Sequence, residues 1–203
     1  LDFSQQVSTP DWRQKTMFGC MPPRDLLLTV GNEILEATMS YRSRWFEYLC
    51  YRPLLAKYFK EDANFRWEAA PKPRLTDASY KPNFWANYKK WSDSKKEKAM
   101  RTGDWVLTEE EPLFDAADIA RAGKDLFVYH SSVTNRSGLD WLRRHFKGHR
   151  LHVLHFRESN PIHIDATFVL LRPGLALSNR KRVILEPKMI KLFKKNDWEI
   201  VEC

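Results

Sequence analysis

The apolar residues in the first third of the chain form short β-type runs on either side of a longer helical pattern. Residues 25–30 and residues 34–37 are β-rich and are separated by a Gly-Asn turn signal, which predicts a hairpin. Residues 41–58 carry apolar side chains at helical spacing, and Pro53 is expected to break or restart this helix. Apolar and polar positions alternate over residues 65–69, as in a strand. The predicted order of elements is therefore hairpin, helix, strand.

The same order of elements recurs twice farther along the chain. In the second round, two strands, a helix and a last strand are predicted over residues 105–108, 125–130, 137–146 and 151–156. The helix of this round is expected to be capped by Ser137, with Asp140 three residues later as in a capping box. In the third round, the corresponding elements are predicted over residues 167–171, 175–177, 187–195 and 198–201.

Two interpretations of this recurrence are open. Three ββαβ units would form an internal repeat over residues 25–70, 105–156 and 163–203, with an insertion over residues 74–104. An ordinary α+β domain without a repeat explains the pattern equally well. If the repeat is real, three units would leave unpaired sheet edges, which closed propellers avoid. For this reason, and because the chain begins with Leu1, we expect it to be a piece of a longer protein.

The composition is that of a globular protein. The chain has 203 residues, of which 43% are hydrophobic and 13% aromatic, and this is too apolar for a disordered tail. Its longest apolar runs fall well short of the roughly 18 residues that a membrane span needs. The seven glycines lie too far apart for a G-x-G dinucleotide turn or a phosphate-binding loop.

The net charge of +8 raises the question of an anionic partner. Residues 89–101 contain six basic and two acidic residues, and Trp85, Tyr88 and Trp91 lie among or beside them. A basic patch with aromatic residues can bind single-stranded nucleic acid, although most such runs are solvated faces. A nucleic-acid-binding domain is therefore kept only as an alternative function.

The three cysteines do not form a recognisable framework. Cys20, Cys50 and Cys203 are an odd number without C-x-x-C spacing. A set of disulfides or a cysteine zinc site is therefore not expected.

The motif N-P-I-H-I-D-A-T-F, residues 160–168, combines a histidine with a carboxylate. His163 and Asp165 would share one face of a strand, because side chains two positions apart point the same way. Such a pair suits acid/base chemistry on a cationic substrate. Two other interpretations stay open: a core histidine satisfied by its neighbouring aspartate, and a metal-binding pair. The metal pair is the weaker, because the other five histidines offer no partner at ligand spacing.

Two further segments place carboxylates near predicted strands. Asp115 and Asp118 of F-D-A-A-D are three positions apart and would fall on one side of a helical turn. Taken alone, this segment is better explained as an N-cap followed by a first-turn acid. M-P-P-R-D, residues 21–25, puts Asp25 at the mouth of the first predicted strand, and taken alone it is a turn.

Together, these three segments offer several carboxylates and one histidine, and the chain has no phosphate-binding loop. This combination points to a guanidinium as the substrate group. A guanidinium is planar and always charged, and carboxylates match it through paired N–H···O bonds. Enzymes that break its C–N bond need a thiolate nucleophile, a histidine to protonate the departing amine and carboxylates to hold the planar group.

Several long strings identify a family. They are M-P-P-R-D-L-L-L-T-V-G-N-E-I-L-E-A (21–37), R-S-R-W-F-E-Y (42–48), A-A-P-K-P (69–73), E-P-L-F-D-A-A-D (111–118), the 160–168 motif and L-S-N (177–179). In this order they resemble the glycine amidinotransferase family, in the guanidine-modifying pentein superfamily. The resemblance implies an α/β propeller of ββαβ modules around a central channel. This chain would hold about three of the five modules.

The resemblance also implies roles for five residues. His163 matches the catalytic general acid/base, and Asp115 matches the catalytic aspartate. Asp25 and Asp165 match carboxylates that contact the guanidinium end of arginine. Arg182 matches the arginine that pairs with the substrate α-carboxylate, with two adjacent basic residues as alternatives.

The implied reaction transfers the amidino group of arginine to glycine, giving guanidinoacetate, the precursor of creatine, and ornithine. It passes through an amidino-cysteine, but none of the three cysteines has the sequence context of the family's nucleophile. The 203-residue chain alone is therefore expected to be inactive. A related amidinotransferase with another amine acceptor, or a deiminase-like hydrolase that uses water, is the nearest alternative.

The resemblance implies partners and a location as well. The substrates are small molecules, no cofactor and no metal are implied, and the full-length enzyme is expected to be a homodimer. An animal enzyme of this family would be mitochondrial, and other members would be cytoplasmic.

Overall fold

The computed structural model describes residues 6–15, 22–157 and 163–203. Cys20, Met21 and the first three residues of the 160–168 motif lie outside these ranges. At the N-terminal end, strand β1 (Gln6–Ser8) pairs antiparallel with strand β2 (Arg13–Lys15). Within the described ranges, no helix combines the length and apolar character needed to cross a membrane.

The first unit is a hairpin followed by a helix and a strand. Its elements are strands β3 (Leu27–Val30) and β4 (Glu33–Glu36), helix α1 (Tyr48–Glu61) and strand β5 (Arg66–Ala69). Strand β3 is antiparallel to β4, and β5 is parallel to β4. Gly31 closes the hairpin with a φ of 62°, a left-handed conformation that favours glycine. The predicted helix start at residue 41 is wrong, because residues Arg42–Arg44 form a separate 3-10 turn, and α1 continues through Pro53.

The insertion after the first unit folds into two helices, α2 (Phe84–Tyr88) and α3 (Asp93–Thr102). Its aromatic rings pack against one another, with Phe84 stacked on Tyr88 at a centroid distance of 5.8 Å. The Nζ atom of Lys95 lies 4.4 Å from the centroid of the Trp91 ring. Aromatic faces that a nucleic-acid-binding surface would offer to bases are thus partly covered by neighbouring side chains.

The second unit repeats the order of the first. Its elements are strands β6 (Ile119–Ala122) and β7 (Asp125–Tyr129), helix α4 (Arg136–His145) and strand β8 (Arg150–Phe156). Strand β6 is antiparallel to β7, and β8 is parallel to β7. The predicted strand at 105–108 is wrong: this segment contributes only a bridge between Leu107 and Tyr80. Trp105 and Leu107 are buried and Val106 between them is half-buried, so this apolar run packs into the core as an irregular segment.

Helix α4 begins at a different cap from the one predicted. Asn135 occupies the N-cap, and its Oδ1 accepts a hydrogen bond from the backbone N–H of Gly138 at 2.8 Å. Ser137 lies inside the helix, so the predicted capping box is wrong. Gly138 is required here, because a Cβ at this position would come within 2.2 Å of the Leu113 carbonyl oxygen.

The third unit has the same order, with one added strand. Its elements are strands β9 (Phe168–Arg172), β10 (Leu175–Ser178) and β11 (Val183–Ile184), helix α5 (Pro187–Lys195) and strand β12 (Glu199–Glu202). Strand β10 is antiparallel to β9 and parallel to β12. Strand β11 joins the second sheet, next to β8. The helix predicted over residues 187–195 is confirmed.

Two hydrophobic clusters join the units in pairs. One is shared by the first two units and includes Leu35, Phe114 and Leu142. The other is shared by the second and third units and includes Phe127 and Phe193, whose rings stack with centroids 5.0 Å apart. Because each cluster draws on two units, packing fixes how neighbouring units lie against each other.

Candidate active site

Each unit has a short 3-10 turn just before its first strand. The turns are Pro23–Asp25, Ala116–Asp118 and Ile164–Ala166, ahead of β3, β6 and β9. The turn of the second unit packs against both of the others. Residues that are far apart in the sequence therefore meet at one end of the three units.

His163 directly precedes the third turn and lies between two carboxylates. Its Nε2 is 3.3 Å from Oδ2 of Asp115, and its Nδ1 is 3.8 Å from Oδ1 of Asp25. The His163 side chain is 16% exposed, so part of the ring remains accessible. An imidazole held in this way can carry a proton and pass it to a group at its accessible edge.

Asp115 stands at the N-cap position of the second turn, but its side chain makes no capping hydrogen bond. The residue is completely buried, and Oδ2 faces His163. Within the described part of the chain, Oδ1 of Asp115 accepts no hydrogen bond. The capping interpretation of F-D-A-A-D is therefore wrong, because the carboxylate points at the histidine instead of at the N–H groups of the turn.

Asp118 lies behind Asp115 in a buried hydrogen-bond network. Its Oδ2 accepts hydrogen bonds from the hydroxyls of Ser131 and Thr134, each at 2.5 Å. The Thr134 hydroxyl oxygen also accepts a hydrogen bond from the backbone N–H of Asp115, at 3.3 Å. Asp118 thus helps to fix the backbone from which the Asp115 carboxylate projects.

Burial and charge shift the pKa values of these groups. Burial lowers the pKa of His163, but the hydrogen bond that it makes to Asp115 and the nearby carboxylates outweigh this effect, and the pKa rises above its usual value. Burial raises the pKa of Asp115, although His163 opposes that shift. Burial also raises the pKa of Asp118 to about 8. These shifts favour the protonated form of His163 and the neutral form of Asp118.

Arg44 forms a buried ion pair with Asp25. Its Nη1 donates to Oδ2 of Asp25 at 2.8 Å, while Nε and Nη2 donate to the carboxylate of Glu47 at 2.8–3.0 Å. All three residues are buried. Burial tends to lower the pKa of Arg44, but the hydrogen bonds to Glu47 and Asp25 raise it, so the guanidinium stays charged. With Oδ2 held by Arg44, Oδ1 of Asp25 is the oxygen that faces His163.

The cluster contains more acidic than basic groups. Its carboxyl groups are Asp25, Glu47, Asp115 and Asp118, and its cations are Arg44 and His163. Acidic groups therefore outnumber basic ones, which suits a cationic ligand.

Asp165 lies beside this cluster but not on a shared strand face with His163. The predicted strand is wrong here, because Ile164–Ala166 forms a 3-10 turn that directs the two side chains to different environments. The Asp165 side chain is 43% exposed, and its Oδ2 is 2.8 Å from Nη2 of Arg24. Arg24 also approaches Oδ1 of Asp25, at 3.8 Å, so Asp165 is linked to the cluster through Arg24.

A groove of about 390 Å³ runs from Asp165 and Arg24 along the first strands of the three units. It is lined by residues of β3, β6 and β9, among them Leu28, Ile119 and Phe168. A larger groove of about 490 Å³ lies elsewhere, between Asp125 and Trp198, and none of the predicted site residues lines it.

Arg182 lies in the turn between β10 and β11. Its carbonyl oxygen accepts a hydrogen bond from the backbone N–H of Arg157 at 2.7 Å, at the end of β8. The turn is closed by the Arg182 N–H, which donates to the carbonyl oxygen of Asn179 at 2.9 Å. Its role toward a substrate carboxylate stays a prediction.

Sequence reasoning missed several members of the cluster. Arg44 and Glu47 lie in R-S-R-W-F-E-Y, a string that was informative about the family but whose charged residues were assigned no role. A basic and an acidic residue three positions apart indicate a local ion pair but not its burial against Asp25. Thr134 had no signal in the sequence, because its importance depends only on its contact with Asp118.

The sequence is similar to those of known amidinotransferases. No family model matches the chain. The chain is 45% identical over 202 residues to "Glycine amidinotransferase, mitochondrial" of Danio rerio, covering 99% of this chain and 46% of the relative. It is 41% identical over 195 residues to the L-arginine:L-lysine amidinotransferase of Pseudomonas savastanoi pv. phaseolicola, covering 96% of this chain and 49% of the relative.

Solved structures agree with these relatives. An amidinotransferase of the saxitoxin biosynthetic pathway of Microseira wollei superposes with a TM-score of 0.83 at 38% identity, covering 100% of this chain and 54% of the other. A dimethylarginine dimethylaminohydrolase, at 14% identity and a TM-score of 0.55 over 89% of this chain and 53% of the other, shares the fold alone. The chain therefore has a pentein-type α/β fold and resembles the amidinotransferases along its whole length, while it spans about half the length of the relatives it matches.

Proposed function

We propose that this chain supplies the arginine-binding and proton-transfer part of an amidinotransferase. The observation that carries the proposal is the position of His163, with Asp115 3.3 Å from one ring nitrogen and Asp25 3.8 Å from the other. The excess of acidic over basic groups in the cluster suits a substrate guanidinium. Similarity to amidinotransferases over 96–99% of the chain supports the same reaction class.

In the proposed reaction, a cysteine thiolate attacks the central carbon of the arginine guanidinium. As the C–N bond to the ornithine nitrogen breaks, His163 donates a proton to that nitrogen, and ornithine leaves as an amine. An acceptor amine then attacks the amidino carbon, the C–S bond breaks, and the thiolate leaves. The proton released by the acceptor returns to His163, so the histidine ends in its starting state. Asp115 stabilises the imidazolium in each half-reaction.

Asp25 and Asp165 are proposed to hold the guanidinium, and Arg182 to pair with the α-carboxylate of arginine. Asp25 suits this role because Arg44 fixes one of its oxygens and leaves the other facing His163. Asp165 suits it because it is the most exposed carboxylate beside the cluster and already binds a guanidinium, that of Arg24.

Glycine is the proposed acceptor, with guanidinoacetate and ornithine as products. The Danio rerio relative is named for glycine and the Pseudomonas relative for lysine, so the acceptor is the least constrained part of the proposal. Another amine, or water as in a deiminase-like hydrolase, is the alternative.

The nucleophile is proposed to lie outside these 203 residues. Cys50 and Cys203 are both exposed, whereas Asp115 is completely buried and His163 largely so. Cys20 lies outside the described residues. The chain alone is accordingly proposed to bind arginine but not to transfer its amidino group.

The decisive experiment uses the intact protein and arginine labelled with ¹³C in the guanidinium. Glycine, lysine and water are offered in parallel as acceptors, and the labelled product is identified by NMR. His163→Asn should lower kcat by about 10²- to 10⁴-fold while leaving the affinity for arginine within a few fold. Labelled product formed equally fast by wild type and by His163→Asn would contradict the proposed role.

Two further expectations belong to the intact protein. We propose a mitochondrial location if the protein comes from an animal, as in the name of the Danio rerio relative. Imaging of the tagged protein against a mitochondrial marker tests this.

We also propose a homodimer, and a single species of twice the protomer mass in light scattering would support it.

A further inference from the structure

Arg24 places a guanidinium of the protein itself beside the two carboxylates proposed to hold the substrate. Its Nη2 is 2.8 Å from Oδ2 of Asp165 and 3.8 Å from Oδ1 of Asp25. The Arg24 side chain is 49% exposed, so it lies over the site from the solvent side and is not part of its buried wall.

The two carboxylate oxygens that Arg24 approaches are the ones that a substrate would use. Oδ2 of Asp25 is already occupied by Arg44, which leaves Oδ1 for any other partner. Within the described part of the chain, Oδ1 of Asp25 is buried and accepts no hydrogen bond. The guanidinium of Arg24 and that of free arginine have the same planar donors and the same charge, so they compete for the same partners.

We propose that Arg24 is an internal competitor of the substrate: its guanidinium occupies the position between Asp25 and Asp165 and leaves when arginine binds. This inference rests on the proposed function, because it assumes that these two carboxylates hold the substrate. Arg24 then sets the affinity of the site, since the apparent affinity for arginine is reduced by the fraction of molecules in which the site is already filled.

The size of the effect follows from the exposure of the pair. Arg24 and Asp165 are both about half exposed, and ion pairs of this kind are weak. Removing the competitor is therefore expected to lower the Kd for arginine by a modest factor, about two- to fivefold. The opposite role, in which Arg24 orients Asp165 for the substrate, predicts a higher Kd when Arg24 is removed.

The test measures arginine binding to the intact protein by calorimetry, for the wild type, Arg24→Gln and Arg143→Gln. Arg143 is the matched control, because it forms an ion pair with Asp140 at almost the same exposure, 45% and 46%, on helix α4. Arg24→Gln should bind arginine more tightly, and Arg143→Gln should bind it as the wild type does. An unchanged or higher Kd for Arg24→Gln would overturn the inference.

Asp165→Asn separates this inference from the proposed function on which it rests. If Asp165→Asn weakens arginine binding and Arg24→Gln fails to strengthen it, only the competitor role is wrong. If Asp165→Asn leaves arginine binding unchanged, the proposed guanidinium site is itself wrong, and the inference is overturned with it. Guanidinium chloride at millimolar concentration should compete with arginine in both the wild type and Arg24→Gln if the site recognises the planar group alone.

Discussion

At the scale of single residues, His163 shows how burial and charge compete. Burial alone would favour the neutral imidazole, yet the carboxylates of Asp115, Asp118 and Asp25 together raise its pKa above the usual value. These groups thus favour the protonated imidazole, the form that can serve as the acid for a leaving amine.

The contribution of Asp115 can be measured directly. Asp115→Asn removes the hydrogen-bonded carboxylate at 3.3 Å and should lower the pKa of His163, because burial would then be opposed by fewer negative charges. The measurement is an NMR titration of ¹³C-labelled histidine. Asp165→Asn is the control and should leave this pKa in place, since the Asp165 carboxylate pairs with Arg24. Equal shifts in both variants would contradict the assignment of Asp115 as the histidine partner.

Asp118 makes a different prediction, about stability. Its pKa of about 8 lies above the ordinary value of 3.8, so the folded protein retains a proton that the unfolded chain releases. The contribution of this group therefore favours folding most below about pH 4 and declines as the pH rises to about 8. Asp118→Asn keeps an oxygen that can accept from Ser131 and Thr134 but cannot ionise. As the pH rises from about 4 to about 8, the free energy of unfolding of Asp118→Asn should therefore increase relative to that of the wild type, by at most about 1.4 kcal/mol per pH unit.

Urea unfolding of both proteins between pH 5 and pH 8 tests this prediction. Asp140→Asn, which removes an exposed carboxylate on α4, is the control and should follow the wild type. A difference between Asp118→Asn and the wild type that stays constant over this range would show that Asp118 is already ionised in the folded protein.

The sequence predicts only some of the contacts that the site residues make. Spacing brought out Asp115 and Asp118 as a pair, but local rules assigned the first to a helix cap because an isolated segment cannot reveal a partner 48 positions away. The alternation of polar and apolar residues over H-I-D predicts a strand at Asp165, whereas the chain forms a turn there.

At the scale of secondary-structure elements, Asn135 anchors the start of α4. Its Oδ1 accepts from the N–H groups of Gly138 and Leu113, at 2.8 and 2.9 Å. Its Nδ2 donates to the carbonyl oxygens of Thr108 and Glu111, both at 2.7 Å. One side chain therefore caps the helix and holds the irregular segment that leads to Asp115.

Asn135→Ala should destabilise the protein by about 3 kcal/mol, because it removes a cap and leaves buried backbone groups without partners. Ser92→Ala is the matched control: Ser92 caps the exposed helix α3 through one hydrogen bond of 3.4 Å, and its loss should cost about 0.5–1 kcal/mol. Both values come from urea unfolding. Equal losses in the two variants would mean that Asn135 acts only as a cap.

Most elements of the third unit could be predicted because they have clear local signals, such as Pro187 at the start of α5 and Gly174 in the hairpin turn, whereas the two-residue strand β11 could not. The second unit was harder. Strand β6 has the sequence Ile-Ala-Arg-Ala, which carries no β-branched run beyond Ile119, so its strand character comes from pairing with β7. Residues 105–107 give a false strand signal because a short apolar run that is buried in an irregular segment has the same composition as a strand.

At the scale of the whole molecule, the candidate site belongs to no single unit. Asp25 comes from the first, Asp115 from the second and His163 from the third. A family resemblance could place these residues together, whereas composition and periodicity could not, because neither carries information on how units pack.

The isolated 203-residue chain can test the proposal that these residues bind arginine and transfer protons while the nucleophilic cysteine lies outside them. We expect it to bind arginine weakly through Asp25, Asp165 and Arg182 and to release no ornithine when incubated with arginine and glycine, because an unpositioned thiol cannot replace an oriented one. It should also self-associate through the outer strands β5 and β12. Release of ornithine above a His163→Ala control would show that the chain carries its own nucleophile.

The three converging turns also constrain the order in which the protein can fold. Each ββαβ unit is local in sequence and can begin to form by itself, but the turns meet only after long loops have closed and both shared clusters have packed. Helices and hairpins should thus be largely in place before the proton-transfer pair exists. The docking of the third unit on the second is then also the step that brings His163 to Asp115.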